Sequence, residues 1–197
     1  LAPDSTHVIR GGGVATDELL VSTGTFNLNL IDKCVEKAKT LTVPIRPVKV
    51  GGKDKFVMFL HPYQVYDMRT TTSDGQWLDI QKAAMAGGDT SKNPIYDGSL
   101  GEYNGVILHE STRLPAGVNS TTSAAVANTR RAVFCGAQAA VVGYGKGESG
   151  EMSWTEELFD YGNQLGVSAG MIAGLKKTRF NSLDFGTIAV PTYAAAH

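Results

Sequence analysis

The sequence predicts an α+β protein in which helices and short strands are interleaved. Three observations carry this prediction: an amphipathic helical stripe begins at Phe26, the segment FVMFLHPYQVYDMR reads as a strand entering a helix, and two β-rich runs end the chain. No regular βαβ alternation is present, which disfavours a doubly wound nucleotide-binding fold. With 197 residues and 42% hydrophobic content, the chain is long enough to bury a core.

The first 60 residues predict an initial irregular segment, one helix and one hairpin. Residues 1–25 are rich in Gly, Ser and Thr and favour irregular backbone. From Phe26 to Thr40 the spacing predicts an amphipathic helix of about four turns. Its apolar stripe consists of Leu28, Ile31, Val35 and Ala38. Pro44 and Pro47 then favour extended backbone, and residues 48–60 predict a β-hairpin with a glycine turn.

The middle of the chain begins with a proline-started helix. Pro62 suits the first helical position, where its missing N–H has no partner to lose, and His61 before it is predicted to cap the helix. A short helix is predicted over Trp77–Ala84, with Trp77, Ile80 and Ala84 facing the core. Turn signals at Asn93-Pro94, Asp97-Gly98 and Asn104-Gly105 follow.

The remaining elements are predicted to be mostly strands. Residues 105–110 favour a strand, and residues 116–125 a mobile loop of small residues. Ala132–Tyr144 predicts either one Ala-rich helix or a strand, short helix and strand around Gly136, because periodicity fits both. Val167–Phe180 and Asp184–Tyr193 predict a long closing hairpin that turns at Asn181-Ser182-Leu183.

Composition excludes several classes of function. A net charge of −1 argues against tight binding of duplex DNA, and the basic run Lys176, Lys177 and Arg179 is interpreted as a solvated face. Cys34 and Cys135 are interpreted as buried free thiols, not a disulfide framework. The sequence shows no secretory signal and no apolar run near the ~20 residues of a spanning helix, so a soluble, cytosolic protein is predicted.

A serine-hydrolase motif is the strongest hint of catalysis. Residues 166–170, GVSAG, match the nucleophile elbow around Ser168, and Asp184 and His197 follow in the hydrolase order. The elbow requires a helix after the serine, but a β-rich run follows here. Ser168 is therefore interpreted as a strand residue between glycines, and a serine hydrolase using Ser168 is kept as an alternative function.

The other motifs lack the structural context that their chemistry requires. Residues 145–150 spell G-x-G-x-x-G, but the next residues read as a strand instead of the required helix, so a hairpin loop is predicted. The four histidines show no metal-ligand spacing, and the adjacent Glu156 and Glu157 point to different sides of any regular element. The sequence therefore predicts no catalytic residue, no cofactor or cofactor-binding residue, and no metal ligand.

A series of longer phrases points to a family. In chain order they are FNLNLIDKCVEKAKTL, FVMFLHPYQVYDMRT, GQWLDIQKAA, NPIYDGSLGEYNGVILHES, RRAVFCGAQAAVVGYG and DYGNQLGVSAGMIAGLKKTRFNSLDFGTIAVPTYA. Together these phrases resemble the major capsid proteins of tailed bacteriophages and prophages. The resemblance covers nearly the whole chain and is nearest to the branch first described for a podovirus that carries its own virion RNA polymerase.

The resemblance implies the tailed-phage major capsid fold, with an axial domain and a peripheral domain. Residues 1–42 would hold the initial segment and the spine helix of the peripheral domain. Residues 43–150 would form the axial domain, and residues 151–197 would return to the peripheral domain with a closing β-hairpin. Little of the chain precedes Phe26, so it resembles a C-terminal portion that lacks the N-terminal arm.

The same resemblance implies a structural protein and not an enzyme. Its copies would form hexamers and pentamers of an icosahedral shell, assembled in the bacterial cytoplasm and found in the virion capsid. Scaffolding and portal proteins and non-specifically packaged DNA are the further expected partners, with no membrane. Aromatic residues such as Trp77, Tyr96 and Tyr103 suit contacts between copies. A monomeric module that binds a carbohydrate or peptide ligand is the second alternative.

Overall fold

The structure is a computed structural model, and it describes residues 3–71, 100–146 and 152–197. Two compact units make up the chain: residues 1–139 with 179–197 form the first unit, and residues 140–178 form the second. The helix predicted over Trp77–Ala84 lies outside the described residues, as do the turns predicted at Asn93-Pro94 and Asp97-Gly98 and the aromatic Tyr96.

A six-stranded mixed sheet forms the centre of the first unit. Its strands are β1 Val48–Val50, β2 Lys53–Leu60, β3 Glu102–Tyr103, β4 Val106–Glu110, β7 Thr129–Cys135 and β13 Thr187–Tyr193. They run in the order β13-β7-β2-β4-β3, and β1 also pairs with β2. The pair β2–β4 is parallel and therefore needs a crossover connection, whereas β1 and β7 pair with β2 antiparallel. The predicted hairpin over residues 48–60 is confirmed.

Helix α1, Leu28–Thr40, covers this sheet with the predicted stripe. All four stripe residues are buried, and they share one core with Met58, Phe134 and Ile188 of the sheet. Asn27 caps the helix, because its side chain accepts a hydrogen bond from the Leu30 N–H at 3.2 Å. The amphipathic-helix prediction is thus confirmed; its assignment to a spine helix stays a prediction.

Helix α2, Pro62–Thr70, begins with the predicted cap. The Nδ1 atom of His61 accepts from the Tyr63 N–H at 3.3 Å, and the Gln64 side chain accepts from the His61 N–H at 3.0 Å. The amide nitrogen of Gln64 then donates to the Arg130 carbonyl at 3.1 Å and to the Thr192 hydroxyl at 2.7 Å. One fully buried side chain therefore caps α2 and joins it to β7 and β13.

The N-terminal residues lie against the free edge of β13. Val8 forms a parallel bridge with Ala189, and the Ile9 N–H donates to the Ala189 carbonyl at 3.0 Å. Three short 3-10 helices occupy much of the remaining initial segment, over Ser5–His7, Gly11–Gly13 and Asp17–Leu19. The prediction of an irregular initial segment agrees with this backbone.

The predicted mobile loop at residues 116–125 is instead a small hairpin, formed by β5 Gly117–Val118 and β6 Ala125–Val126. The side-chain oxygen of Asn119 accepts from the N–H groups of Thr121 and Thr122, each at 2.9 Å, and these bonds fix the turn. Small residues indicated flexibility, but side-chain bonds to the backbone give this segment a definite structure.

For Ala132–Tyr144, the structure agrees with the strand-based alternative, except that a turn replaces the short helix. Strand β7 ends at Cys135, and β8, Ala140–Gly145, begins the second unit.

The second unit is a β-ribbon. Its strands are β8, β9 Met152–Phe159 and β10 Gln164–Lys177. Strand β10 pairs antiparallel with β9 over residues 164–171 and with β8 over residues 172–177. Most of the hairpin loop predicted for residues 145–150 lies outside the described residues, and the strands on either side of it, β8 and β9, both pair with β10.

The prediction of a long closing hairpin is correct for its turn but wrong for the pairing of its long strands. Asn181 and Ser182 do form a turn, in left-handed backbone with φ of 46° and 64°. It joins only β11 Arg179–Phe180 to β12 Leu183–Asp184. The long runs on either side pair elsewhere, β10 within the ribbon and β13 with β7. High β-propensity identified both strands but carries no information about distant partners.

Replacing Gln64 by alanine should destabilise the first unit by about 2–4 kcal/mol, because three hydrogen bonds are lost and both the Arg130 carbonyl and the buried Thr192 hydroxyl lose a partner. Urea denaturation measures this free energy of unfolding. The control is Thr70→Ala, at an exposed position of the same helix, which should cost under about 0.5 kcal/mol. Equal small losses for both variants would contradict the role given to Gln64.

Candidate functional site

Ser168 lies in the middle of strand β10, opposite Thr155 of β9. The backbone continues as a regular strand on both sides of it, so the sharp turn into a helix that a nucleophile elbow needs is missing at this position. The interpretation of Ser168 as a strand residue between glycines agrees with this backbone.

Asp184 and His197, the acid and base of the alternative triad, are each bound to other groups. The Asp184 carboxylate accepts from Arg179 Nε at 2.9 Å and from the Asp4 N–H at 3.3 Å. His197 contacts Asp67 instead, with 3.2 Å between Nε2 and Oδ1. Burial raises the pKa of Asp67, and the neighbouring His197 only partly offsets this. Neither predicted partner is thus arranged as the Ser168 mechanism requires.

The environments of Cys34, Cys135 and His61 suit structural roles and not reactive ones. Burial raises the pKa of Cys34 to about 12 and that of Cys135 to about 11, so both stay protonated and unreactive at neutral pH. Burial and the nearby Arg130 charge lower the pKa of His61, which keeps its Nδ1 atom free to accept the capping bond. Within the described ranges, His, Cys, Asp and Glu side chains form no group of three that would hold a metal ion.

The most elaborate polar cluster surrounds the buried Asp17 carboxylate. Its oxygens accept from Arg10 Nε at 2.7 Å, from Arg131 Nε at 2.8 Å and from the Val118 N–H at 3.1 Å. Burial alone would raise the pKa of Asp17, but these hydrogen bonds outweigh it and hold the pKa below its ordinary value. The cluster fastens the initial segment to β5 and β7, which is a structural role.

The ribbon has the most unusual surface of the described chain. Every described residue of β9 is exposed, and so are nearly all residues of β10. Large apolar side chains are included, with Trp154 58% and Leu175 74% exposed. An exposed apolar patch of this extent is often a contact site, so the ribbon is the best candidate for a functional contact surface.

Comparison with known proteins identifies the family. The family model described as phage capsid protein matches residues 1–196. The chain belongs to the phage capsid protein family. The resemblance noted in the sequence is thereby confirmed.

Individual relatives agree with this assignment. The major capsid protein of Pseudomonas phage KPP25 is 28% identical in an alignment 158 positions long, which covers 74% of this chain and 39% of the relative. The capsid of Ralstonia phage GP4 is 36% identical with a TM-score of 0.70, covering 98% of this chain and 54% of that one. The chain thus spans well under two thirds of these relatives.

More distant solved structures show the fold alone. The cyanophage Pam1 capsid is 20% identical with a TM-score of 0.75, over 98% of this chain and 55% of that chain. The head of Helicobacter pylori bacteriophage KHP40 is 16% identical with a TM-score of 0.61, over 97% and 62%. The predicted α+β capsid fold is confirmed; the division at residues 42 and 150 stays a prediction. In the described part of the chain, none of the helices is long and apolar enough to span a membrane.

Sequence reasoning missed the ribbon as a surface. It identified residues 167–180 as a β-rich run but gave that run to a closing hairpin. The alternation in QLGVSAGMIAGLKK, where nearly every second residue is apolar, indicates that β10 has one apolar face, but it does not indicate whether that face is exposed.

A fluorophosphonate probe should leave the folded chain unlabelled, because Ser168 is a strand residue whose expected acid and base are bound to other groups. Intact mass spectrometry measures the labelling. Stoichiometric labelling that disappears in Ser168→Ala would restore the hydrolase alternative.

Replacing Asp17 by asparagine should lower the free energy of unfolding by about 2 kcal/mol near neutral pH. This is less than the ~3–5 kcal/mol expected for breaking a fully buried ion pair, because both guanidinium groups are partly exposed. The folded pKa lies below the ordinary value of 3.8, so the carboxylate stabilises the fold above that value and this contribution is lost as pH falls through the folded pKa.

The difference between the wild type and Asp17→Asn should therefore shrink as the pH falls below 3.8. Urea denaturation at a series of pH values measures it. Asp54→Asn, at an exposed position of β2, is the control and should change stability little at any pH. A pH-independent difference for Asp17→Asn would show that the lost charge is not its cause.

Proposed function

We propose that the protein is a structural subunit of the icosahedral shell of a tailed phage or prophage, built by self-association around the genome. The observation that carries this proposal is the family match over residues 1–196. The likeness to the GP4 capsid over 98% of the chain, at 36% identity, supports it further. Shell building requires neither turnover nor a cofactor, which agrees with the bonding of Asp184 and His197 to groups other than Ser168.

The surface chemistry suits this function. A closed shell needs head-to-tail contacts between identical copies around rings, and such contacts use different patches of the same chain. The net charge of −1 keeps repulsion between many packed copies low. The exposed apolar side chains of the ribbon supply surface that association can bury.

The finer assignment follows from the proposed shell. Copies would form hexamers and pentamers, with residues 43–150 as the axial domain around the five- and six-fold axes. Residues 1–42 and 151–197 would belong to the peripheral domain. Packaged DNA would be contacted without sequence preference, and scaffolding and portal proteins would be further partners. Assembly would take place in the host cytoplasm, and the product would be the virion capsid.

The full-length protein should form closed shells, whereas this 197-residue chain should remain a monomer or small oligomer at micromolar concentration. The chain spans 54% of the GP4 capsid chain, so contacts made by the remaining length would be missing, and small interfaces are usually weak. Light scattering and negative-stain microscopy of both proteins measure the outcome.

Two results would count against these expectations. Closed shells formed by the 197-residue chain would show that it already carries all the contacts needed. Failure of the full-length protein to assemble under any condition, including co-expression with its neighbouring genes, would contradict the shell function itself.

A further inference from the structure

Strand β10 alternates in character along its length. From Leu165 to Leu175, its odd-numbered residues are apolar: Leu165, Val167, Ala169, Met171, Ala173 and Leu175. The even-numbered residues are small or polar, with Ile172 as the exception. Successive side chains of a strand point to opposite faces, so β10 presents one apolar face over nearly its full length.

The partner strands extend this face. Residues directly opposite each other in an antiparallel pair lie on the same face. The residues opposite the apolar positions of β10 include Leu158, Trp154 and Met152 of β9 and Tyr144 and Val142 of β8. These side chains together with the odd-numbered residues of β10 are called the apolar face. Leu165 is 62% and Leu158 65% exposed, so this face is exposed among the described residues.

On the opposite face, side chains of the ribbon lie over its glycines. The ring of Phe159 lies over Gly166, where a Cβ atom would clash with it. The Ser153 hydroxyl reaches across Gly170 and donates to its carbonyl at 3.1 Å. Ile172 lies over Gly145, and a Cβ atom there would come within 2.8 Å of its Cγ2 atom. The large apolar side chains on this face of the described ribbon are Phe159, Ile172 and Val141, which are 50%, 68% and 56% exposed. The apolar face has nine large apolar side chains, so the two faces differ in how many such side chains they carry.

The apolar face carries little charge. Glu156 and Lys177 have opposite signs and are the charged residues on it within the described part of the ribbon. The Glu156 carboxylate accepts from Trp154 Nε1 at 2.7 Å, which satisfies the polar atom of the indole and leaves its ring apolar. A nucleic acid or a strongly charged protein would need a concentrated opposite charge, so an apolar partner surface fits better.

The size of the face indicates what kind of partner covers it. At a rise of ~3.3 Å per residue, a 14-residue strand is about 46 Å long, and a two-strand width gives roughly 400–500 Å². That equals the largest apolar patch of an ordinary monomer, yet it is only about half of one partner's share in a stable interface of ~1,600 Å². Such a face needs additional contacts to hold a partner, and a closed assembly of copies provides them.

We infer that the apolar face of the ribbon docks against a second copy of this chain when copies associate. This inference rests on the proposed shell function, which supplies the second copy and the additional contacts. The face is then a buried seam between neighbouring subunits, whereas the opposite face of the same strand stays accessible.

Two neighbouring positions on β10 give a matched test in the full-length protein. Ala169→Cys places a thiol on the apolar face, and Ser168→Cys places one on the opposite face. Maleimide labelling, read for each peptide by mass spectrometry, separates these thiols from Cys34 and Cys135. In unassembled protein both new thiols should react at similar rates. In assembled shells the thiol at residue 169 should react at least tenfold more slowly, and the thiol at residue 168 should change little.

Two labelling outcomes would overturn the inference. Protection of residue 169 in unassembled full-length protein would show that another part of the same polypeptide covers the face. Equal labelling of residues 168 and 169 in shells would show that the face is not buried between copies.

A second measurement uses charge and does not require shells. Leu165→Lys and Val167→Lys place a charge on the apolar face, and Gln164→Lys and Ser168→Lys place one on the opposite face. Circular dichroism should show the same fold for all four, because these positions are on the exposed ribbon. Shell yield of the full-length protein should fall at least tenfold for the first pair and stay within twofold for the second.

Sedimentation of the 197-residue chain at high micromolar concentration then separates failure of this inference from failure of the shell function. Concentration-dependent association that is lost in Leu165→Lys but kept in Ser168→Lys would support docking between copies even if the full-length protein forms no shells. If the full-length protein does form shells and both pairs of variants assemble equally, the inference is wrong while the shell function stands.

Discussion

The buried amide of Gln64 is the constraint on which the first unit depends. Its oxygen completes the cap of α2, and its nitrogen reaches backbone and side-chain oxygens on β7 and β13. A buried amide left without these partners would cost a few kcal/mol, so α2, β7 and β13 must form together. The apolar core holds these elements close, but the amide fixes how they meet.

The elements that could be predicted from the sequence are those whose signals are local. Pro62 and His61 start α2 through bonds within one turn, and the stripe of α1 reflects a periodicity of 3.6 residues. The partners of β10 and β13 could not be predicted in the same way, because strand pairing is set by distant residues. Ile188, Val190 and Thr192 of β13 are fully buried and need a covered sheet, whereas β10 runs exposed along the ribbon.

The same distinction applies to the candidate site. The letters around Ser168 match a catalytic motif, yet a strand on both sides removes the geometry that gives those letters meaning. The alternation of β10 was visible in the sequence, but its exposure was not, since an alternating strand normally places its apolar residues against its own core. In the folded chain, residues on both faces of β9 and β10 are exposed.

The bridge between Val8 and Ala189 would affect how copies associate in the proposed shell. Strand β13 lies at one end of the central sheet, and an uncovered edge strand offers N–H and C=O groups to any other chain. The backbone of Val8 and Ile9 occupies part of that edge. In the proposed shell, where the local concentration of subunits would be high, this protection would disfavour open-ended polymerisation through strand addition. Contacts between subunits would then form through side-chain surfaces, whose shape would set the angle at which subunits meet.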